Sequence, residues 1–421
     1  MSFTMGCSGG GESATGSSGS GGADAGTTAL AVVYGAPAAP AEEPESSGHA
    51  VEGYAAAMAS HGGTIAIGTT TSVYRLDTTG PVKLDLVGDE PDLPADTGAV
   101  RAMASYEGGL LVAAENGLFY TDGLVVQRSL ANDTLGPLGI TAMSARLASG
   151  ADGGDAEYHL SILAGSVAYE LGGGSMSTWT VDGEAGPPTA VLAQEARVYL
   201  SFGARTYEID KAKKEARPVA AGLGKVHEIA CSSLSCEEGS LVYFASDSGL
   251  VERGADGVYR RFPLAAEGAP PVPVETFALD AAKQRLYALA GGSVLRIRAG
   301  EVPDAVATLA APAASRRMAV DKAGDVWVGE GLGVKRLALG TPLSFATDVR
   351  PILHEYCADC HATGQKGAPV RDFESYDVAV ARIDSILMRV QDGTMPPLST
   401  GKKLPKETIQ ILQDWAGTKA P

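Results

Sequence analysis

The chain has 421 residues, 45% of them hydrophobic, which is enough to bury a sizeable core and too long for one compact domain of ordinary size. A formal charge of −17 argues against nucleic acid as a partner, because phosphates would be repelled. With 54 glycines and only 6% aromatic residues, turn-dense β-structure is favoured over helices. The charge is uneven: residues 1–50 carry −5 and residues 341–421 carry −1, leaving −11 to the span between them.

In Phe3-Thr4-Met5-Gly6-Cys7, followed by Ser8 and three glycines, the segment resembles the cleavage site of a bacterial lipoprotein. That resemblance implies lipidation of Cys7 and a membrane contact through this anchor alone. It departs from the pattern in one respect: six residues precede the cysteine, without the usual charged start or apolar run. Residues 8–28 are mostly Gly, Ser, Ala and Thr and read as a flexible linker. Leu30 to Tyr34 is a short strand-like island, and residues 36–48 return to linker composition. No run of about 20 apolar residues occurs to cross a membrane.

From 51 to 340 the sequence repeats itself. Short apolar runs recur at Ile65-Ala66-Ile67, Leu110-Leu111-Val112, Leu160-Ser161-Ile162, Val198-Tyr199-Leu200, Leu241-Val242-Tyr243, Leu286-Tyr287-Ala288 and Val326-Trp327-Val328. Their starts lie 45, 50, 38, 43, 45 and 40 residues apart. A period of this size with several strands per unit points to a β-propeller, and seven runs point to seven blades. Asp325 to Gly329 followed by Gly333 to Leu337, and Leu111 to Ala114 followed by Gly117-Leu118-Phe119, resemble the propeller repeats of bacterial sensor proteins. Two packed sheets would account less well for the even spacing. The last unit lacks a fourth strand, and open edges are a liability. Leu30 to Tyr34 is therefore expected to close the ring. Cys231 and Cys236 flank Ser232-Ser233-Leu234-Ser235, a spacing suited to a disulfide across a hairpin. Two free thiols are the alternative. The repeats hold no Gly-x-Gly-x-x-Gly after a strand, no phosphate loop and no nucleophile elbow. His61, His159 and His227 stand isolated, and Asp89, Glu90, Asp92 and Asp96 read as a solvated acidic loop rather than a calcium loop.

The last 81 residues change character to helical periods. Phe345, Val349, Ile352, Leu353 and Tyr356 form an apolar stripe, and Pro351 requires the helix to begin near Thr347 or Asp348. Ser375 caps a second helix with Asp377 in its first turn and Tyr376, Val380, Ile383, Leu387 and Val390 as its stripe. Pro405 and Glu407 open a third, which buries Ile409, Leu412 and Trp415 before Gly417 stops it. The first helix leads into Cys357-Ala358-Asp359-Cys360-His361. Two thiols three positions apart, followed by an imidazole, read as a covalent c-type haem site. Zinc would need His354, Cys357, Cys360 and His361 to wrap one ion from eight residues. A redox dithiol would need βαβ surroundings, and the sequence shows none. Since c-type attachment takes place outside the bacterial cytoplasm, an oxidising compartment supports the Cys231–Cys236 bridge. Met395, in Gly393-Thr394-Met395-Pro396-Pro397, is the candidate sixth iron ligand, a soft thioether on a stiff loop. Met388 lies off the stripe of its helix, and His354 shares a helix with His361; both are weaker candidates.

Phe345 through His361, the Met-Pro-Pro loop and the final helix with Trp415 resemble a class I c-type cytochrome, here a single-haem domain joined to a larger envelope protein. The likeness covers residues 341–421. It implies one covalent haem c with iron held by His361 and Met395, electron transfer as the role, and a backbone carbonyl near Pro369 receiving a hydrogen bond from His361. The expected architecture is thus an all-β seven-bladed β-propeller at 51–340 followed by a small all-α cytochrome c domain, with residues 1–50 as anchor and linker. The expected function is envelope-located, periplasmic electron transfer to or from a redox partner protein or a small donor or acceptor, the propeller binding a partner. Two rivals are a propeller dehydrogenase feeding its own haem and a haem-based sensor. Lys402, Lys403 and Lys406 are expected to form a basic rim beside the haem edge.

Overall fold

Seven antiparallel sheets follow one another along residues 55–83, 100–128, 140–179, 190–218, 226–262, 274–308 and 317–337. The computed structural model describes residues 30–40, 43–61, 64–77, 80–88, 93–129, 132–148, 157–172, 175–184, 186–219, 222–280, 285–309, 317–339, 344–361, 372–397, 400, 402, 404 and 406–418. Cys7, Pro369, Asp89, Glu90, Asp92, Lys403 and Pro405 lie outside them. Within each of these spans the strands lie in sequence order, and the first strands of successive sheets are neighbours, Arg317–Val320 of the seventh meeting Ala55–His61 of the first. The chain is a closed seven-bladed β-propeller.

The apolar runs are the second strands of the blades: Thr64–Thr69, Gly109–Ala114, Glu157–Ala164, Arg197–Phe202, Val242–Ser246, Arg285–Ala290 and Val326–Glu330. They are mostly apolar on both faces because each is covered on both sides by the adjoining blades. Seven apolar clusters result, one at each blade interface among the described residues. The seventh brings Trp327 and Val334 of the last blade against Ile65, Ile67 and Ala55 of the first. Gly329 makes that approach possible, since a Cβ there would stand 2.7 Å from the Cβ of Ala55.

Closure does not use the expected strand. Ser46–Ala50 lies antiparallel on Gly333–Leu337, with Ser46 opposite Leu337 and Ala50 opposite Gly333. Leu30–Val32 pairs in parallel with Tyr259–Phe262, as a fifth strand on blade 5. Proximity along the chain decides this, because only residues 51–54 separate Ser46–Ala50 from the inner strand of blade 1. The apolar Leu30 instead packs into the cluster between blades 4 and 5. Ser-Ser-Gly-His-Ala has linker composition, yet an outer strand exposed along nearly its whole length needs no apolar face. The segment assigned to linker therefore belongs to the propeller from Leu30 onward. It runs as a belt over three blades: Gly35 N donates to Ala265 O (3.2 Å), Glu43 Oε2 accepts from Thr308 N (2.9 Å), and Glu45 O accepts from Ala338 N (2.9 Å).

Blade 3 opens with a long hairpin, Ile140–Ala148 with Glu157–Ala164, that reaches past its neighbours. Tyr158 meets His61 of blade 1 with ring centroids 5.6 Å apart, and Leu147 N donates to Leu234 O of blade 5 at 2.8 Å. That end of the ring is thereby bridged from blade 1 to blade 5.

After Leu339 a second compact unit begins, and it is helical. Phe345–Val349 is a wide π-helical turn, with Val349 N donating to Ser344 O, and it runs into the α-helix Arg350–His361. Pro351 is thus the second residue of the α-helix, where its missing N–H costs little. Tyr376–Gln391 follows with Ser375 in extended backbone at its N-cap, and Lys406–Thr418 is the last helix. This last helix passes through Gly417, because a glycine costs about 1 kcal/mol in a helix and does not break it. Phe345, Val349, Leu353, Ile383, Val390, Leu404, Leu412 and Trp415 form the core. Among the described residues no helix is long and apolar enough to cross a membrane.

The belt supports one prediction. At a net of about 1 kcal/mol per backbone hydrogen bond and roughly 2–4 °C per kcal/mol in a domain of this size, a chain starting at residue 51 melts on the order of 10 °C lower. A chain starting at residue 43 keeps Ser46–Ala50 and loses less, as thermal unfolding followed by circular dichroism would show.

Candidate functional site

On the helix Arg350–His361, side chains four apart share a face. Val349 and Leu353 on that face are fully buried in the core, and Cys357 continues the row, half-buried against the same cluster. Burial pushes the Cys357 thiol up to about 11, so it stays protonated at neutral pH; nearby Lys402 opposes the shift more weakly. Cys360, three residues on, is exposed, and neither thiol is in a disulfide. His361 lies one turn beyond Cys357. Its ring stacks on Phe373 with centroids 4.6 Å apart and planes at 28°, and its carbonyl accepts from Phe373 N at 3.1 Å. The imidazole is therefore oriented by packing.

Met395 leaves the end of the helix Tyr376–Gln391 on a tied loop. Arg389 O accepts from Thr394 N (3.0 Å), from Met395 N (3.1 Å) and from Thr394 Oγ1 (3.1 Å). Met395 is 37% exposed and Met388 is 51% exposed, both open for an apolar side chain. His354 is turned to Glu374, with Nδ1 2.7 Å from Oε1. Among the described residues no three His, Cys, Asp or Glu side chains converge as a cage for a metal ion. Lys402 does not extend freely as part of a basic rim. Its ammonium donates to Glu355 O (2.6 Å) and to Asp359 Oδ2 (2.8 Å). Its low reach back to the first helix accounts for this, since both acceptors lie on the turn that carries the cysteines. The side chain of Lys406 lies outside the described ones.

These residues fit a flat, apolar prosthetic group attached through two thioethers. They supply one half-buried and one exposed thiol a turn apart, an imidazole fixed by an aromatic ring, and an exposed thioether on an anchored loop. Ile352, Tyr356 and Leu387 beside them are only partly covered by protein.

In the propeller, Cys231 and Cys236 are joined, with Cα atoms 5.5 Å apart. Their loop is held to blade 4 by Gln194 Nε2 donating to Glu237 O (3.2 Å) and by the Arg197–Glu238 ion pair (3.1 Å). None of the three histidines is isolated. His61 packs on Tyr158, His227 Nε2 lies 2.6 Å from Asp247 Oδ1, and His159 Nδ1 accepts from Arg146 at 3.1 Å. Burial, then Arg146, holds the His159 imidazole below its usual range. Asp96 caps its own loop, accepting from Gly98 N at 2.9 Å.

Sequence reasoning missed a charged rung. The residues paired with the middle of each second strand are Arg75, Tyr120, Glu170, Glu208, Glu252, Arg296 and Arg336. Basic side chains occupy blades 6, 7 and 1, and acidic ones blades 3, 4 and 5. Several bind the following blade: Arg75 to Gly123 O (3.2 Å), Glu170 to Lys211 Nζ (2.6 Å), Glu208 to Tyr259 OH (3.0 Å), and Glu252 to Gly300 N (2.8 Å). Aligning the repeats on their apolar triplets would have revealed it. A second miss is Glu228, on the inner strand of blade 5. It accepts from Thr276 Oγ1 (2.6 Å) and Phe277 N (3.2 Å), and burial pushes its carboxyl up. The corresponding residues after the strand irregularity in blades 1 to 3 are Ala57, Ala102 and Ala142.

No family model matches the chain, and no curated protein does. Among solved structures, the chain is similar to the WD40 β-propeller domain of Doa1, with 11% identity and a TM-score of 0.49, covering 70% of this chain and 96% of that one. It is also similar to virginiamycin B lyase from Staphylococcus aureus, with 12% identity and a TM-score of 0.47, covering 70% of this chain and all of that one. At these values neither speaks to what this chain does.

Replacing Cys231 and Cys236 together by alanine is expected to cost about 2 kcal/mol, the chain-entropy value for so short a loop. Faster amide exchange at Leu147 is expected alongside, since Leu234 is its acceptor.

Proposed function

We propose that the chain is an extracytoplasmic electron-transfer protein in which a c-type cytochrome unit, residues 341–421, is joined to a propeller that binds a partner. The observation that carries this is the placement of Cys357, Cys360 and His361 along the last turn or so of one helix, against a core that leaves apolar surface uncovered. Cys357 and Cys360 would hold one haem c by adding their thiols across its two vinyl groups, His361 would ligate the iron, and Met395 would be the sixth ligand. The group, when bound, supplies a one-electron iron couple. Phe373 orients the imidazole, the Arg389 carbonyl orients the start of the methionine loop, and the thioether favours the reduced state. Cys7 would anchor the protein by a lipid, and the acidic propeller suits a basic partner. Several charged groups of the propeller hold one blade to the next.

Covalent attachment is tested on the full chain expressed with a c-type maturation system. Acid–solvent extraction should leave haem on the wild type and remove it from the Cys357→Ala, Cys360→Ala double variant. Freely extracted haem from the wild type would refute the proposal.

Met395→Ala should abolish the iron–sulfur charge-transfer band and lower the reduction potential by a sizeable part of the roughly 0.8 V that axial ligation spans. Met388→Ala should leave both unchanged. A reversal of these two outcomes would assign the ligand to Met388.

A further inference from the structure

The segment bearing Met395 is fixed at two points, and they lie on different helices. At its start the Arg389 carbonyl takes three hydrogen bonds from Thr394 and Met395. That anchor belongs to the helix Tyr376–Gln391, which carries neither cysteine. At its far side Pro397 O accepts from Thr400 N (2.9 Å) and Thr400 Oγ1 (2.7 Å), and Lys402 N donates to Thr400 Oγ1 (3.3 Å). This turn delivers the Lys402 side chain to the other helix. Its ammonium meets Glu355 O at 2.6 Å and Asp359 Oδ2 at 2.8 Å. Two residues later Leu404 enters the core.

We infer that Lys402 is a positioning residue that holds the Met395 loop against the helix of Cys357, Cys360 and His361, and so sets how firmly the thioether is presented to the iron. The inference rests on the haem reading above. Both acceptors sit within one turn of the attachment pentapeptide, and Asp359 lies inside it. An exposed Lys–Asp pair alone contributes little, because water screens it and two long side chains lose freedom. The added carbonyl changes this, since an ammonium held between a carbonyl and a carboxylate defines a position as well as a charge. A thioether is a weak, neutral ligand, so its bond to iron depends on the loop more than on the donor itself. Without Lys402 the remaining anchors are Arg389 and the buried Leu404, and neither is a polar tie to the turn that carries the cysteines.

The test uses the holoprotein of the full chain, with Lys402→Met and Lys402→Arg compared with the wild type. In Lys402→Met covalent haem content should be retained while the iron–sulfur charge-transfer band is largely lost and added imidazole displaces Met395 at lower concentration. Lys402→Arg, which reaches the same acceptors, should restore the band and the resistance to imidazole. If Lys402→Met lowers the reduction potential but keeps the band and the imidazole affinity, Lys402 acts by charge alone and the positioning role is overturned. An unchanged band, potential and affinity overturns it as well, with the haem reading intact. Absence of covalent haem from the wild type removes both.

Discussion

Ring closure is the constraint on which the propeller depends. Each blade buries both faces of its second strand against its neighbours, so one missing interface would leave two apolar faces in water. The chain supplies only three strands to blade 7 from its own end, and Ser46–Ala50 completes the sheet from the other. A backbone ladder thereby ties the first blade to the last, and the Trp327 cluster fills beneath it. The belt extends this outward over blades 6 and 5.

Polar ties act at a second level. Apolar clusters specify that blades pack, while the rung residues of blades 1, 3, 4 and 5 help to specify how each of these is placed on the next. Glu208 and Glu252 reach across to the following blade for their partners, and burial with a nearby Glu208 holds the Tyr259 phenol above its usual range. A buried charge deprived of its partner is costly, whereas the intact pair adds little net stability. Such groups discriminate among blade orientations more than they contribute to stability. The hydrogen bond between Leu147 and Leu234 serves the same end at one mouth of the ring, and the Cys231–Cys236 bridge keeps the acceptor loop compact.

In the helical unit, the same division between burial and polar placement recurs. Val349, Leu353, Ile383, Leu412 and Trp415 hold the helices together, and the chemistry-bearing side chains stand at the margin of that core. Cys357 is half in it and Cys360 outside it, which gives two thiols different surroundings within one turn. Arg389 and Lys402 then hold the stretch between the last two helices by hydrogen bonds.

Much of this was legible from residues alone. The seven apolar triplets marked seven second strands, because burial on both faces imposes a local pattern. The pentapeptide at Cys357 and the stripes of the three helices are equally local. The Cys231–Cys236 spacing anticipated a short bridge. Tertiary structure alone decided which N-terminal segment closes the ring, and it chose Ser46–Ala50, whose composition is that of a linker. An outer strand pairs through its backbone, and backbone hydrogen bonds leave no mark in the side chains. The partners of Glu208, Glu228 and Lys402 were hidden for a related reason. A lysine sequence shows a charge, but whether that charge faces water or a carbonyl 47 residues earlier depends on how the helices pack.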